Sequence, residues 1–455
     1  VARFIPLGAA GALIAAILAA AALALVLAGW LRPRLGALYA RLAPPVPGFA
    51  RTGLLLIALA VFTTHYGGKI YPFAMWGDIG FHVNRYFDVL NGNVLLLSRN
   101  RGVDFPYPPA FYLLLAPFSL TGLDRRVLLQ LGGALLDAAS PVLVYAIATS
   151  SGERRTAQPA RRGLLAAGIY SFSAATLMTT FWNFSTHIFA QWAHLLLIAA
   201  LVLLWRALAG TKSEPAAPNA KVAWPLSLAA LFFLQSIVYL GHFGFWMNMS
   251  LLSGIGLLAL LVAAIRRRVA WSVGWRLLGV FMAAQLVAVL LFYSAYTGLF
   301  LEQARATASG GLTGLAGRGA VDRTLLWNTL WDAGFRVHFG LFAIPLALIS
   351  LALPWPRGAN IPARRAVALL AGGTFVIALF FAVLPFVSGS TLSTRWLMFS
   401  AWAIAVGASA SATLLWHSGR AGRWLVLAMG SYLVWVSAAL WLGALAWRIR
   451  PPEPF

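Results

Sequence analysis

Apolar runs long enough to cross about 30 Å of hydrocarbon fall at 5–31, 53–68, 126–149, 163–181, 187–206, 222–241, 245–265, 276–297, 336–354, 367–388, 395–415 and 424–446. This spacing predicts an all-α polytopic membrane protein, a single transmembrane domain over 1–455 with about twelve spans (11–13). The first run resembles a signal peptide in length but lacks a basic leading region and an obvious cleavage site, so it is counted with the spans. Two long segments, 69–125 and 298–335, interrupt the pattern. In the first, 108–122 is short for a span and opens on Pro108-Pro109, so it is expected to lie in the interface as a helix beside another at about 79–92. In the second, Leu325, Leu326, Trp327, Leu330 and Trp331 recur at helical spacing, which also suits an interfacial helix. Gly310, Gly311, Gly314, Gly317 and Gly319 precede that helix, the composition of a lid or of a plain flexible connector.

Composition agrees with this pattern, and charge adds an orientation. The chain is 61% apolar and 10% charged with a mean hydropathy of +0.82, far above a soluble globular domain. Its formal charge of +23 comes from Arg clusters in short breaks between apolar runs, a positive-inside distribution, so nucleic acid is excluded as a partner. With 32–51 placed in the cytoplasm, the cytoplasmic loops hold 20 of the 34 Lys and Arg residues, and the opposite side holds 8 of the 11 acids. Both long segments then face outward from a multi-pass protein of the cell membrane. This assignment requires that 108–122 does not cross. The 19 Trp fit interfacial belts, and the absence of Cys excludes disulfides and thiolate metal sites.

The densest polar island is Trp76-Gly77-Asp78-Ile79-Gly80-Phe81-His82-Val83-Asn84-Arg85. On a helix starting near Asp78, the positions of Asp78, His82 and Arg85 lie within about 60° of one another, since neighbours three and four apart stack. Asp78 could be a general base or the N-cap of the helix that follows it. Lys69, Arg85, Arg126 and Arg395 fall at the outer boundary, where Arg can clamp phosphate oxygens or snorkel to headgroups as an anchor. His187, His242 and His338 sit near outer ends of predicted spans and could line a sugar pocket or ligate a metal, although their spacing is no ligand signature. Asp137 falls near mid-membrane, where an isolated charge is expensive, so it is expected to be paired or protonated. Asp88 and Asp104 read as solvated loop acids.

Asp78, the Tyr107-Pro108-Pro109-Ala110-Phe111-Tyr112 segment, Arg125 or Arg126, and the late Ser393-Thr394-Arg395-Trp396-Leu397 together resemble the integral-membrane GT-C glycosyltransferases, the superfamily of protein O-mannosyltransferases and aminoarabinose transferases. The resemblance implies a GT-C-like fold and transfer of a monosaccharide from a polyprenyl-phosphate donor, at the outer face, to a glycan, lipid or protein acceptor. It implies Asp78 as the base, and Arg395 with Arg85, Lys69 or Arg126 on the donor phosphate. His82, Tyr107, His187, His242 and His338 would line the substrate site. No cofactor is specified, and a divalent metal stays open. Many members carry a second acid after the first, where this chain has Ile79. Two alternatives are a lipid-linked sugar flippase or transporter, and a non-catalytic GT-C-like subunit of a membrane complex.

Overall fold

The computed structural model describes residues 46–70, 77–100, 103–150, 158–210, 220–266, 271–308, 323–352, 361–388 and 394–445. The predicted first span, the Gly310 to Gly319 cluster and Trp76 lie outside them. Eight described helices are long and apolar enough to cross a membrane. They include α1 (Gly48–Ile70), α4 (Arg125–Ser150), α7 (Ser185–Gly210), α9 (Phe243–Ile265), α10 (Trp271–Leu291), α14 (Ile361–Ser388) and α16 (Arg420–Leu445). The eighth is α15 (Ala401–His417) with the 3-10 turns that precede it. The chain is therefore a multi-pass α-helical membrane protein, since a helix satisfies its own backbone groups where no water can.

Among the described residues the count is below twelve, because the first run lies outside them and two of the others are interrupted. The run at 163–181 becomes α5 (Gln158–Phe172) and α6 (Ala174–Phe181), bent by 44° where Ser173 turns extended and caps α6. Counted as one span, this pair brings the described total to nine. The run at 222–241 forms α8 (Ala220–Gly241), an unbroken helix of 22 residues with Pro225 inside its first turns. The run at 336–354 begins in the wide π-type turns of Thr329–Val337 and resumes as α13 (Ala343–Ala352), which extends to the edge of the described residues. Between them Gly340 and Leu341 both take left-handed backbone (φ 61° and 58°), which a continuing helix forbids. Gly340 is also fixed by contact, because a Cβ there would lie 2.3 Å from Leu433 of α16.

The first long segment holds two short helical pieces, as the pattern predicts, and a hairpin that it does not. Helix α2 (Ile79–Leu90) buries Ile79, His82, Tyr86 and Val89 at helical spacing and leaves Asn84 and Phe87 exposed. Helix α3 (Ala110–Leu115) runs on as 3-10 turns over Ala116–Thr121, a piece too short to cross the bilayer. Between them β1 (Leu96–Asn100) pairs antiparallel with β2 (Val103–Tyr107), Leu96 opposite Tyr107 and Arg99 opposite Asp104. Arg99 Nε donates to Asp104 Oδ1 at 2.8 Å across the pair, and Arg85 pairs with Asp88 at 3.1 Å, so both loop acids are salt-bridged. In the second segment α11 (Thr297–Ala308) follows Tyr296, whose hydroxyl donates to the Leu96 carbonyl at 2.7 Å, and Gln303 donates to the Asp104 carbonyl. The two long segments are thus joined at the hairpin. Further on, α12 (Arg323–Asn328) leads into the π-type turns, and Trp327, Trp331 and Phe335 stack along one face with the two Trp exposed.

Packing ranks the helices. Helix α15, with Trp402 fully enclosed, is the most buried span, and α16 is the least. Lipid is as apolar as Leu, so burial between spans adds little hydrophobic driving force, and close packing and polar bonds decide how they associate. A separate cluster of Ile79, Tyr86, Phe111, Tyr112 and Leu129 seats α2 and α3 on α4.

Candidate active site

Asp78 occupies the N-cap position of α2, with its side chain exposed and making no capping hydrogen bond. Asp124, at the head of α4, shows what a capping Asp does in this chain. Its Oδ1 accepts from the backbone N–H groups of Arg126 and Val127 at 2.9 and 3.3 Å. The backbone of Asp78 is held by the turn after α6, since Asp78 N–H donates to the Trp182 carbonyl at 3.1 Å. Gly77 makes that approach sterically feasible. It has φ 43°, and a Cβ there would sit 2.3 Å from the same carbonyl oxygen.

One turn along α2, His82 is 2% exposed and bonded through both ring nitrogens. Its Nε2 lies 2.8 Å from the Asn183 carbonyl, which can only accept, so Nε2 carries the proton. Its Nδ1 lies 2.7 Å from the Tyr112 hydroxyl, which donates to the neutral ring. Burial, and then the neighbouring Tyr107, holds the Tyr112 hydroxyl well above its ordinary pKa, so it stays protonated at any physiological pH. Arg85 lies over the Phe81 ring at 5.1 Å and pairs with Asp88. Of the three residues that share this face, His82 is the one bonded to Tyr112.

The structure brings together three more of the predicted residues. Tyr107 and His242 line one recess with Phe105, Thr186 and Phe243, and the Tyr107 hydroxyl bonds Thr186 Oγ1 at 2.9 Å. The His187 ring meets His242 edge-on at 5.6 Å and Phe399 at 4.9 Å. Phe399 belongs to the 3-10 helix Thr394–Ser400, which starts with Thr394 and Arg395 and packs against Gly334 through Leu397. The side chains of Arg395 and Lys69 lie outside the described residues. Arg126 is exposed at the start of α4, and it is Arg125 that stacks, over Phe87 at 4.7 Å. His338 is fully buried, its carbonyl accepting from Ala175 N–H and neither ring nitrogen partnered among the described residues. Among the described residues no three His, Asp or Glu side chains are grouped as metal ligands would be.

Asp137 is buried and paired, as the cost of an isolated charge requires. His65 Nδ1 lies 2.9 Å from its Oδ2, and the Thr180 hydroxyl donates to the same oxygen at 3.1 Å. A second recess, lined by Asp137, Tyr170, Thr176, Thr179, His187 and Gln191, opens beside this pair. Sequence reasoning passes over Thr180, Asn183, Gln191 and His65, and names Tyr112 only as the end of the Tyr107 segment. The available signal is the polar string Thr179-Thr180 and Asn183 to His187 between two apolar runs, together with a single His inside the run at 53–68.

No protein-family model and no curated protein matches this chain. Solved structures similar to it include two membrane proteins. One is the crystal structure of ArnT from Cupriavidus metallidurans bound to undecaprenyl phosphate, 15% identical, covering 87% of this chain and 71% of that one at a TM-score of 0.47. The other is the apo oligosaccharyltransferase of Archaeoglobus fulgidus, 12% identical, covering 89% of this chain and 56% of that one at a TM-score of 0.45. The chain thus spans little more than half the length of the archaeal protein.

Proposed function

We propose that this protein is a membrane glycosyltransferase that moves a monosaccharide from a polyprenyl-phosphate donor to a glycan, lipid or protein acceptor at the outer face of the cell membrane. The observation that carries this proposal is the exposed Asp78 carboxylate, held on a fixed backbone at the head of α2 without serving as a cap. In the reaction an acceptor hydroxyl attacks the anomeric carbon, the bond from that carbon to the phosphate oxygen breaks, and the electron pair leaves with the lipid phosphate. Asp78 takes the hydroxyl proton, and Arg395 meets the negative charge that gathers on the departing phosphate. The GT-C resemblance of the Asp78, Tyr107 to Tyr112 and Arg395 motifs supports these roles. So does the packing of the Arg395 helix, through Phe399, on His187 and His242.

The direct test presents the purified protein in lipid nanodiscs with radiolabelled polyprenyl-phosphate sugars and candidate acceptors. Release of polyprenyl phosphate with label in a new product is the expected result. Movement of the lipid between leaflets of proteoliposomes without bond cleavage would identify a flippase, and neither activity would leave a non-catalytic subunit.

Two variants sharpen the proposal. Arg395→Lys keeps the charge but loses the planar fork, so it should weaken donor use, and Arg395→Ala should weaken it further. Unchanged donor affinity and turnover in both would make Arg395 an anchor. For orientation, a Cys introduced at Arg154 should be shielded from a membrane-impermeant thiol reagent, and one at Gly314 should be labelled, with no native thiol to compete. Labelling at position 154 with shielding at position 314 would mean that 108–122 crosses the bilayer.

A further inference from the structure

The buried His65–Asp137 pair has no place in the chemistry above, yet a charge inside a membrane bundle is costly and a buried ion pair is weak evidence of stabilisation. What the pair holds is more informative. Asp137 Oδ2 receives His65 Nδ1 from α1 and the Thr180 hydroxyl from the last turn of α6. Thr180 also shapes the turn beyond it, because its carbonyl accepts the Asn183 N–H at 3.2 Å and Asn183 takes left-handed backbone at φ 57°. That turn presents two carbonyls to α2. The Trp182 carbonyl takes the Asp78 N–H, and the Asn183 carbonyl takes His82 Nε2.

We propose that Thr180, anchored by the Asp137–His65 pair, is a positioning residue that sets the location of the Asp78 carboxylate through the carbonyls of Trp182 and Asn183. This deepens the glycosyltransferase proposal and rests on it for its effect on turnover, but the mechanical link stands on the hydrogen bonds alone. At its N-terminal end α6 is held separately, by the Ser173 cap and by the bond from Ala175 N–H to the His338 carbonyl. Loss of the Thr180 hydroxyl should therefore loosen the C-terminal turn and leave the helix in place. Asp137, with its partner fixed on another span, acts as the fixed post of the arrangement.

The test compares Thr180→Val, which keeps the shape and deletes the hydroxyl, with Thr180→Ser, which restores it. Amide hydrogen exchange in the full protein is the first readout. In Thr180→Val the Asp78 and His82 amides should exchange about tenfold faster while α15 keeps its protection, and Thr180→Ser should return them to the parent rate. Turnover is the second. In Thr180→Val kcat should fall about tenfold or more with the KM for the lipid donor unchanged, since a base displaced by about an ångström loses rate and not donor binding. Thr180→Ser should recover most of it. Unchanged exchange at Asp78 in Thr180→Val, or exchange that rises equally in α15, would overturn the inference. Faster local exchange in Thr180→Val, alongside a parent protein that transfers no sugar, would keep the link and remove the glycosyltransferase reading instead.

Discussion

Replacing Asp78 by Asn is expected to lower sugar transfer by about 10² or more, the usual contribution of a general base, while donor binding and thermal stability stay at the parent level. Asn keeps the shape of the side chain and removes the group that accepts the proton. The structure adds a control that a capping Asp would not pass. Because the Asp78 side chain makes no capping hydrogen bond, Asp78→Ala should be as inactive as Asp78→Asn without the loss of about 0.5–2 kcal/mol that removal of a capping Asp brings. Asp124→Ala at the head of α4 should show the contrasting pattern, a loss of about 0.5–2 kcal/mol with turnover little changed, because its carboxylate caps two N–H groups. Midpoints of thermal unfolding, lipid-donor binding and initial rates for the three variants check this ordering. An Asn variant that transfers sugar at near the parent rate would remove Asp78 from the chemistry.

Gly77→Ala is the second large effect expected, although it alters no chemical group. The new Cβ would sit 2.3 Å from the Trp182 carbonyl oxygen at a φ of 43°, so either the backbone must twist or the bond from Asp78 N–H to that carbonyl must open. Backbone strain of this kind costs about 1–3 kcal/mol, and a displacement of about an ångström at the base is enough to cost about 10² in rate. Gly80→Ala, three residues on, is the matched control. It lies inside α2, is exposed, and nothing stands within 4 Å of its added Cβ, so the substitution should be silent or raise helix stability by up to about 1 kcal/mol. Equal behaviour of the two Ala variants, in rate and in unfolding midpoint, would mean that the contact with Trp182 does not position Asp78.

The sequence by itself determined the class of protein and the two long segments that separate groups of its spans. Apolar length and charge asymmetry act locally, through the cost of placing polar groups in hydrocarbon, so they are legible residue by residue. Helix α2 and the short helix after Pro109 were legible for the same reason, since each carries its own pattern and start signal. The bend at Ser173 and the left-handed pair Gly340–Leu341 were not, because close packing of distant helices, such as Leu433 against Gly340, sets them. Only the tertiary structure decided what the polar residues do. Spacing gathers Asp78, His82 and Arg85 on one face, but His82 is occupied by Tyr112 and by Asn183, 101 residues along the chain, and Arg85 is paired with Asp88. Asp137 meets His65 from 72 residues away. Such partners are chosen by the folding together of separate helices, in which most buried donors and acceptors find a mate, and no local pattern encodes which one each finds.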